Sequence, residues 1–148
     1  MEVGKVFIKD NTLCINYKVR NHQIDSYGHV NNASYLLYLE DARSDFFEYM
    51  GYSLGKLKEM DIYVFITEIK IKYIKPAFLD DIITVTGNFI NIGKVRATWL
   101  QRIFKNDVKI VEAFVQGAFL NGNGKIIKIP EFIKQNMEKF LIDIDKIS

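Results

Sequence analysis

The sequence predicts an α+β fold, one long helix against a mostly antiparallel sheet, on three observations. The second half of the chain alternates apolar and polar residues in segment after segment. The turns between those segments are too short to hold helices, and a parallel sheet would need crossovers of about a dozen residues or more. One long apolar helical segment and a single strand come before them, so the helix and most of the strands are segregated along the chain.

The first strand is marked by Leu13, Ile15, Tyr17 and Val19 alternating with Cys14, Asn16, Lys18 and Arg20. Val6 to Ile8 pairs with it through a turn at Asp10-Asn11. A polar loop carrying Asp25, Gly28 and His29 follows. Asn31 and Asn32 then stand where a helix N-cap belongs, because a short amide side chain accepts from free backbone N–H groups. Gly51 stands where a left-handed C-terminal cap belongs. Between them Tyr35, Leu39, Ala42, Phe46 and Tyr49 form one apolar stripe, while Leu36, Leu37, Tyr38, Phe47 and Met50 make much of the rest apolar too. Such a helix needs cover on more than one side, as a strongly curved sheet would provide.

Residues 53–61 read as a short helical connection. Tyr63, Phe65, Ile69, Ile71 and Tyr73 then share one face of a long strand that ends before Pro76. Ile83, Val85 and Phe89 mark the next strand, with a turn at 91–93. Val95, Ala97, Trp99, Gln101 and Ile103 mark another, with a turn at Asn106-Asp107. Val111, Ala113, Val115 and Phe119 mark the last long one. Asn121 to Gly124 is the strongest turn signal in the chain. Residues 126–129 re-enter the sheet briefly, and Pro130 opens a short amphipathic helix with Phe132, Ile133, Met137 and Phe140. The sheet therefore has about five to six strands. Phe65, Trp99 and Phe119 are expected in the core.

Length and composition narrow the function classes. The 148 residues make one domain, 1–148, large enough to bury roughly 70% of the surface of its unfolded chain. A formal charge of +2 gives no sign of a nucleic-acid partner. The lone Cys14 excludes an internal disulfide and a cysteine-based zinc site. The opening residues lack the pattern of a signal peptide, and no stretch approaches about 18 apolar residues, so a cytoplasmic protein without a membrane span is expected.

Chemistry concentrates between Asp25 and the start of the helix, where a carboxylate, an imidazole and free N–H groups meet within a few residues. On residue type alone, Asp25 is a turn or capping residue and Gly28 supplies a positive φ. His29 either orients substrate or water or bonds the loop backbone. His22 is a surface residue, and Glu40 with Arg43 forms an ion pair along the helix.

The run D-S-Y-G-H-V-N-N-A-S-Y-L-L-Y-L-E-D-A-R, from Asp25 to Arg43, resembles the signature of hotdog-fold acyl-CoA thioesterases of the 4-hydroxybenzoyl-CoA thioesterase-like class. Its matching positions are Asp25, Gly28, Tyr35, Glu40, Ala42 and Arg43. The G-H-V-N-N-x-x-Y form is similar to the long-chain acyl-CoA and acyl-carrier-protein thioesterase branches. Tyr73, Pro76, Ala77, Leu79, Asp80, Asp81, Ile82 and Val85 repeat a second family pattern, so the resemblance covers nearly the whole chain.

The resemblance implies a long central helix wrapped by a curved sheet, and a homodimer or homotetramer with active sites at the dimer interface. It implies hydrolysis of acyl-CoA to free acid and CoA, with no cofactor beyond the coenzyme A of the substrate. Asp25 becomes the base or nucleophile, the Asn32 backbone amide polarises the carbonyl, and His29 assists. Gly28, Tyr35, Lys94 and Arg96 become substrate-binding residues. Glu40 is a lesser candidate for a second catalytic carboxylate. The plant acyl-carrier-protein enzymes carry an Asn two residues before the shared His, where this chain has Tyr27. Three other readings remain open: an acyl-carrier-protein (acyl-ACP) thioesterase, a non-catalytic module that binds acyl thioesters, and a hotdog dehydratase or hydratase.

Overall fold

Tight turns and one long helix set the path of the chain. The computed structural model describes residues 2–146. In order come β1 (Phe7–Lys9), β2 (Thr12–Lys18), α1 (Asn32–Tyr49), α2 (Leu54–Glu59), β3 (Tyr63–Tyr73), β4 (Ile82–Ile92), β5 (Arg96–Lys105), β6 (Val108–Leu120) and α3 (Glu131–Glu138). Asp10 and Asn11 both take left-handed φ, 49° and 59°, which closes the β1–β2 hairpin. Asn106 and Asp107 do the same for β5–β6, at 49° and 64°.

One sheet of six strands results, in the order β1-β2-β4-β5-β6-β3, with every pair antiparallel. After α1 and α2 the chain lands on the edge opposite β1, so the helix lies inside the curl of the sheet. Tyr35, Leu39, Ala42, Phe46 and Phe47 of α1 share one core with Ile15, Val85, Phe89, Trp99 and Val115. Gly87 on β4 is where the helix presses closest. A Cβ there would lie 2.7 Å from the Phe46 ring and 2.9 Å from Trp99. Isolated bridges from Leu120 to Ile126 and from Phe89 to Leu141 extend the ladder locally, and α3 seals the far end with Ile133 and Met137.

Two expectations from alternation fail. Tyr49 is 52% exposed, because the stripe runs out where the helix ends at Gly51, which has a φ of 105°. Phe65 is 59% exposed rather than core, because β3 carries a bulge. Ile66 pairs with Gly117 and Glu68 with Gln116, which leaves Thr67 as the extra residue. The bulge reverses the parity of the strand. Val64 and Ile66 now share the inward face with Ile71, while Tyr63 and Phe65 turn outward. Trp99 and Phe119 do lie in the core. Cys14 and Asn16, on the outer face of β2, are buried as well, Asn16 beneath residues 2–4, where Gly4 donates to its carbonyl and its own amide donates to the Glu2 carbonyl. Among the described residues no helix is long and apolar enough to cross a membrane.

Gly87→Ala should lower stability by about 1–3 kcal/mol through overpacking. Urea unfolding would show this as a lower midpoint, and an unchanged midpoint would mean that Phe46 and Trp99 give way freely.

Candidate active site

The loop between β2 and α1 is shaped by its own hydrogen bonds. Asp25 N–H donates to the His29 carbonyl (2.8 Å) and Gly28 N–H to the Asp25 carbonyl (3.1 Å), which makes a tight turn with Gly28 at φ 81°. The Asp25 carboxylate sits over that turn. Its Oδ1 accepts from Tyr27 N–H (2.9 Å) and His29 N–H (3.2 Å), while Oδ2 takes no partner among the described residues. One oxygen is thus anchored, and the other is available to a substrate or water.

Gln23 ties the loop to α1. Its carbonyl accepts from Asn31 N–H (2.8 Å), and its side-chain oxygen accepts from the Arg20 N–H (2.8 Å) and from the Tyr38 hydroxyl. Asn31 is the N-cap: its side chain accepts from Ala33 N–H (2.8 Å), and its carbonyl accepts from Ser34 N–H (2.9 Å). The Asn32 N–H, first in the helix, has no partner among the described residues. It points where the helix dipole favours negative charge. The opposite wall comes from the end of β3 and the segment beyond it. Tyr73 donates its hydroxyl to the Asn32 carbonyl (3.2 Å), and Ala77 N–H donates to the Tyr35 hydroxyl oxygen (2.9 Å). Burial pushes the Tyr35 phenol above its usual range, the Asp25 charge adding to this against the Ala77 bond, so it is neutral at ordinary pH.

Asp25, His29, Asn32, Tyr35, Tyr73 and Lys75 line one open cleft of about 220 Å³. Four of the residues singled out from sequence therefore meet here. Gly28 shapes the turn without lining the cleft. Lys94 and Arg96 do not line it either; they are exposed at the turn before β5. The His29 ring stands edge-on to Phe78, centroids 5.1 Å apart, and makes no hydrogen bond with the Asp25 carboxylate. Only its backbone N–H does that. Glu40 lies outside the cleft and forms no ion pair with Arg43. The Arg43 guanidinium instead donates from Nη1 to Gln101 Oε1 at 3.0 Å. Glu40 and Arg43 help line a second cavity of about 300 Å³, farther along α1 beneath β3. Sequence reasoning missed Gln23, which has no motif to mark it. It also placed Tyr73 only within the second family pattern and did not put Lys75 at this cleft, because their position depends on how β3 ends. Among the described residues no three His, Cys, Asp or Glu side chains form a metal-binding group.

A sheet curled around one long helix, with a carboxylate facing the start of that helix, defines a hotdog-fold protein of the thioesterase type. The chain belongs to the thioesterase-like superfamily, whose family model matches residues 19–137. It is 27% identical over 135 residues to the chloroplastic acyl-acyl carrier protein thioesterase ATL3 of Arabidopsis thaliana, covering 90% of this chain and 71% of that one. It is 42% identical over 70 residues to the long-chain acyl-CoA thioesterase FadM of Escherichia coli, covering 47% of this chain and about half (52%) of FadM. The crystal structure of a hypothetical protein from Aquifex aeolicus superposes with a TM-score of 0.81 at 27% identity, covering 84% of this chain and 98% of that one.

Tyr35→Phe would leave the buried Ala77 N–H without an acceptor, a loss of about 1–3 kcal/mol. Urea unfolding measures it, and an unchanged midpoint would show that this bond does not hold the cleft wall.

Proposed function

We propose that the protein hydrolyses acyl-CoA thioesters to the free acid and coenzyme A. One observation carries this reading: Asp25, which has one carboxylate oxygen without a partner, and Asn32, whose N–H has none, line the same cleft. A thioester carbonyl set between them would point its oxygen at the Asn32 N–H, where charge develops as the carbonyl carbon is attacked. Asp25 acts either as general base on water or as the nucleophile. On the general-base route, the water oxygen bonds to the carbonyl carbon, the carbon–sulfur bond breaks, and the proton taken by Asp25 passes to the departing thiolate. The two residues need no metal or organic cofactor for these steps. Lys75, which lines the cleft, offers a cation for the coenzyme A phosphates, whereas Lys94 and Arg96 stand at the other end of the sheet, Arg96 opposite Ala118 and Tyr73 opposite Val111. His29, edge-on to Phe78 and not bonded through its ring to Asp25, would orient the leaving group rather than share a proton with Asp25.

The similarity to FadM favours a coenzyme A carrier, and the similarity to ATL3 favours the second reading, an acyl-carrier-protein substrate. Thiol release from matched acyl-CoA and acyl-carrier-protein substrates separates the two. Asp25→Asn should reduce kcat for the better substrate by about 100-fold or more. No thiol release by the wild-type protein from any acyl-CoA or acyl-carrier protein would defeat the hydrolase reading. So would full activity in a folded Asp25→Asn variant.

The homodimer or homotetramer implied by the resemblance belongs to the same proposal. The 11-residue β3 is an edge strand, hydrogen-bonded to a neighbour on one side only, and Phe65 is exposed on it. An edge of that length and character invites pairing with another strand. We expect light scattering to give a dimer or tetramer for the wild-type protein, shifted toward monomer by Phe65→Lys. A wild-type monomer at working concentration would refute the assembly.

A further inference from the structure

The cavity beneath β3 holds a charge that an aliphatic acyl tunnel would not need. Arg43 is only 8% exposed, and it lines the cavity together with Glu40 and the apolar Leu36, Phe47, Ile66 and Trp99. Its bond to Gln101 fixes the orientation, because Gln101 is fully buried and itself donates to the Leu39 carbonyl at 3.1 Å. The ion pairs among the described residues all involve other cations. Glu40, one turn back, also lines the cavity, but it is solvent-exposed and acts on Arg43 only at a distance. Burial pulls the Arg43 pKa downward, yet a guanidinium stays charged in a protein. Arg43 has no ion pair of its own and only the distant Glu40 charge to offset its burial, so a ligand anion bonded directly to the guanidinium would be favoured here.

The cavity and the cleft share no lining residue but lie one beyond the other along the seam between α1 and the inward face of β3. Asn32, Leu36, Glu40, Arg43 and Phe47 mark successive turns of α1 along it, with Tyr73, Ile69 and Ile66 of β3 on the other side. Asn32 and Arg43 are about 16 Å apart along the helix axis. A long helical side chain leans back toward the N-terminus, which shortens the span to that of a medium-length acyl chain.

We infer that this seam takes the acyl group of a dicarboxylic mono-thioester, its distal carboxylate paired with Arg43. The inference rests on the thioesterase reading for the position of the thioester end. A methyl end in the same place would leave the guanidinium unpaired, whereas a carboxylate matches its fork with charge-assisted bonds. Sites built around a buried polar group discriminate strongly against ligands that lack its partner.

Calorimetric titration of the full chain with decanedioate and decanoate is the direct test. The wild-type protein should bind the dicarboxylate about 10-fold or more tightly, and Arg43→Met should erase the preference. Arg43→Lys, which keeps the charge without the fork, should keep part of it; this variant serves if Arg43→Met does not fold. Equal or tighter decanoate binding by the wild type would overturn the inference, as would a preference that survives in folded Arg43→Met. Thiol release from the mono-CoA thioester of decanedioic acid, compared with decanoyl-CoA, separates this failure from that of the hydrolase reading. Equal cleavage of both sinks the carboxylate inference and leaves the hydrolase standing. Preferential dicarboxylate binding with no thiol release from either does the reverse.

Discussion

The burial of α1 on more than one side is the constraint from which the rest of the structure follows. Tyr35, Tyr38, Leu39, Ala42, Phe46 and Phe47 are all at most 4% exposed, and they do not lie on a single stripe. No flat sheet covers such a helix. The six strands cover it by curling, and they can curl because β2 and β3, which flank the helix in sequence, lie far apart in the strand order. Close approach is concentrated at Gly87, where the absent side chain makes room for Phe46 and Trp99. Fully burying such aromatic and aliphatic side chains is worth roughly 1.5–3 kcal/mol each, so the helix position is enforced many times over.

A helix held this firmly has a fixed N-terminus, and the candidate site depends on that. The Asn31 cap uses up the neighbouring donors and leaves the Asn32 N–H without a partner at the helix end that lines the cleft. Gln23 locks the incoming loop to the same end through Asn31 and Tyr38, so the Asp25 turn moves with the helix rather than independently of it. Tyr73 and the Ala77–Tyr35 bond bring the far edge of the sheet to the same point. Two segments remote in sequence thereby build one wall each.

Much of this was legible in the residues. The period-two segments gave the strands, and the apolar excess of the helix gave the need for a curved sheet. The Asn pair and Gly51 gave the helix ends, because each has a local backbone reason to be where it is. Asp25, His29, Asn32 and Tyr35 were placed together by a short motif whose spacing wraps one loop and one helical turn. What stayed hidden depended on long-range register. Nothing in Y-V-F-I-T-E-I announces an extra residue at Thr67, so Phe65 read as core. The bond from Arg43 to Gln101 spans 58 positions, so Arg43 read as a helix-surface partner of Glu40.

The bulge that misled the alternation is also what shapes the second cavity. Were Thr67 paired in regular alternation instead of bulged, Phe65 would share the inward face with Ile69. With it, the inward positions carry Val64 and Ile66, and Ile66 stands opposite Gly117, which has no side chain to add. A Cβ at Gly117 would already come within 3.3 Å of Val64 Cγ1. The same one-residue shift turns Phe65 outward on the unpaired edge of the sheet. A single bulge thus opens a pocket on one side of β3 and lays an aromatic surface on the other, coupling the shape of the interior to the character of the edge.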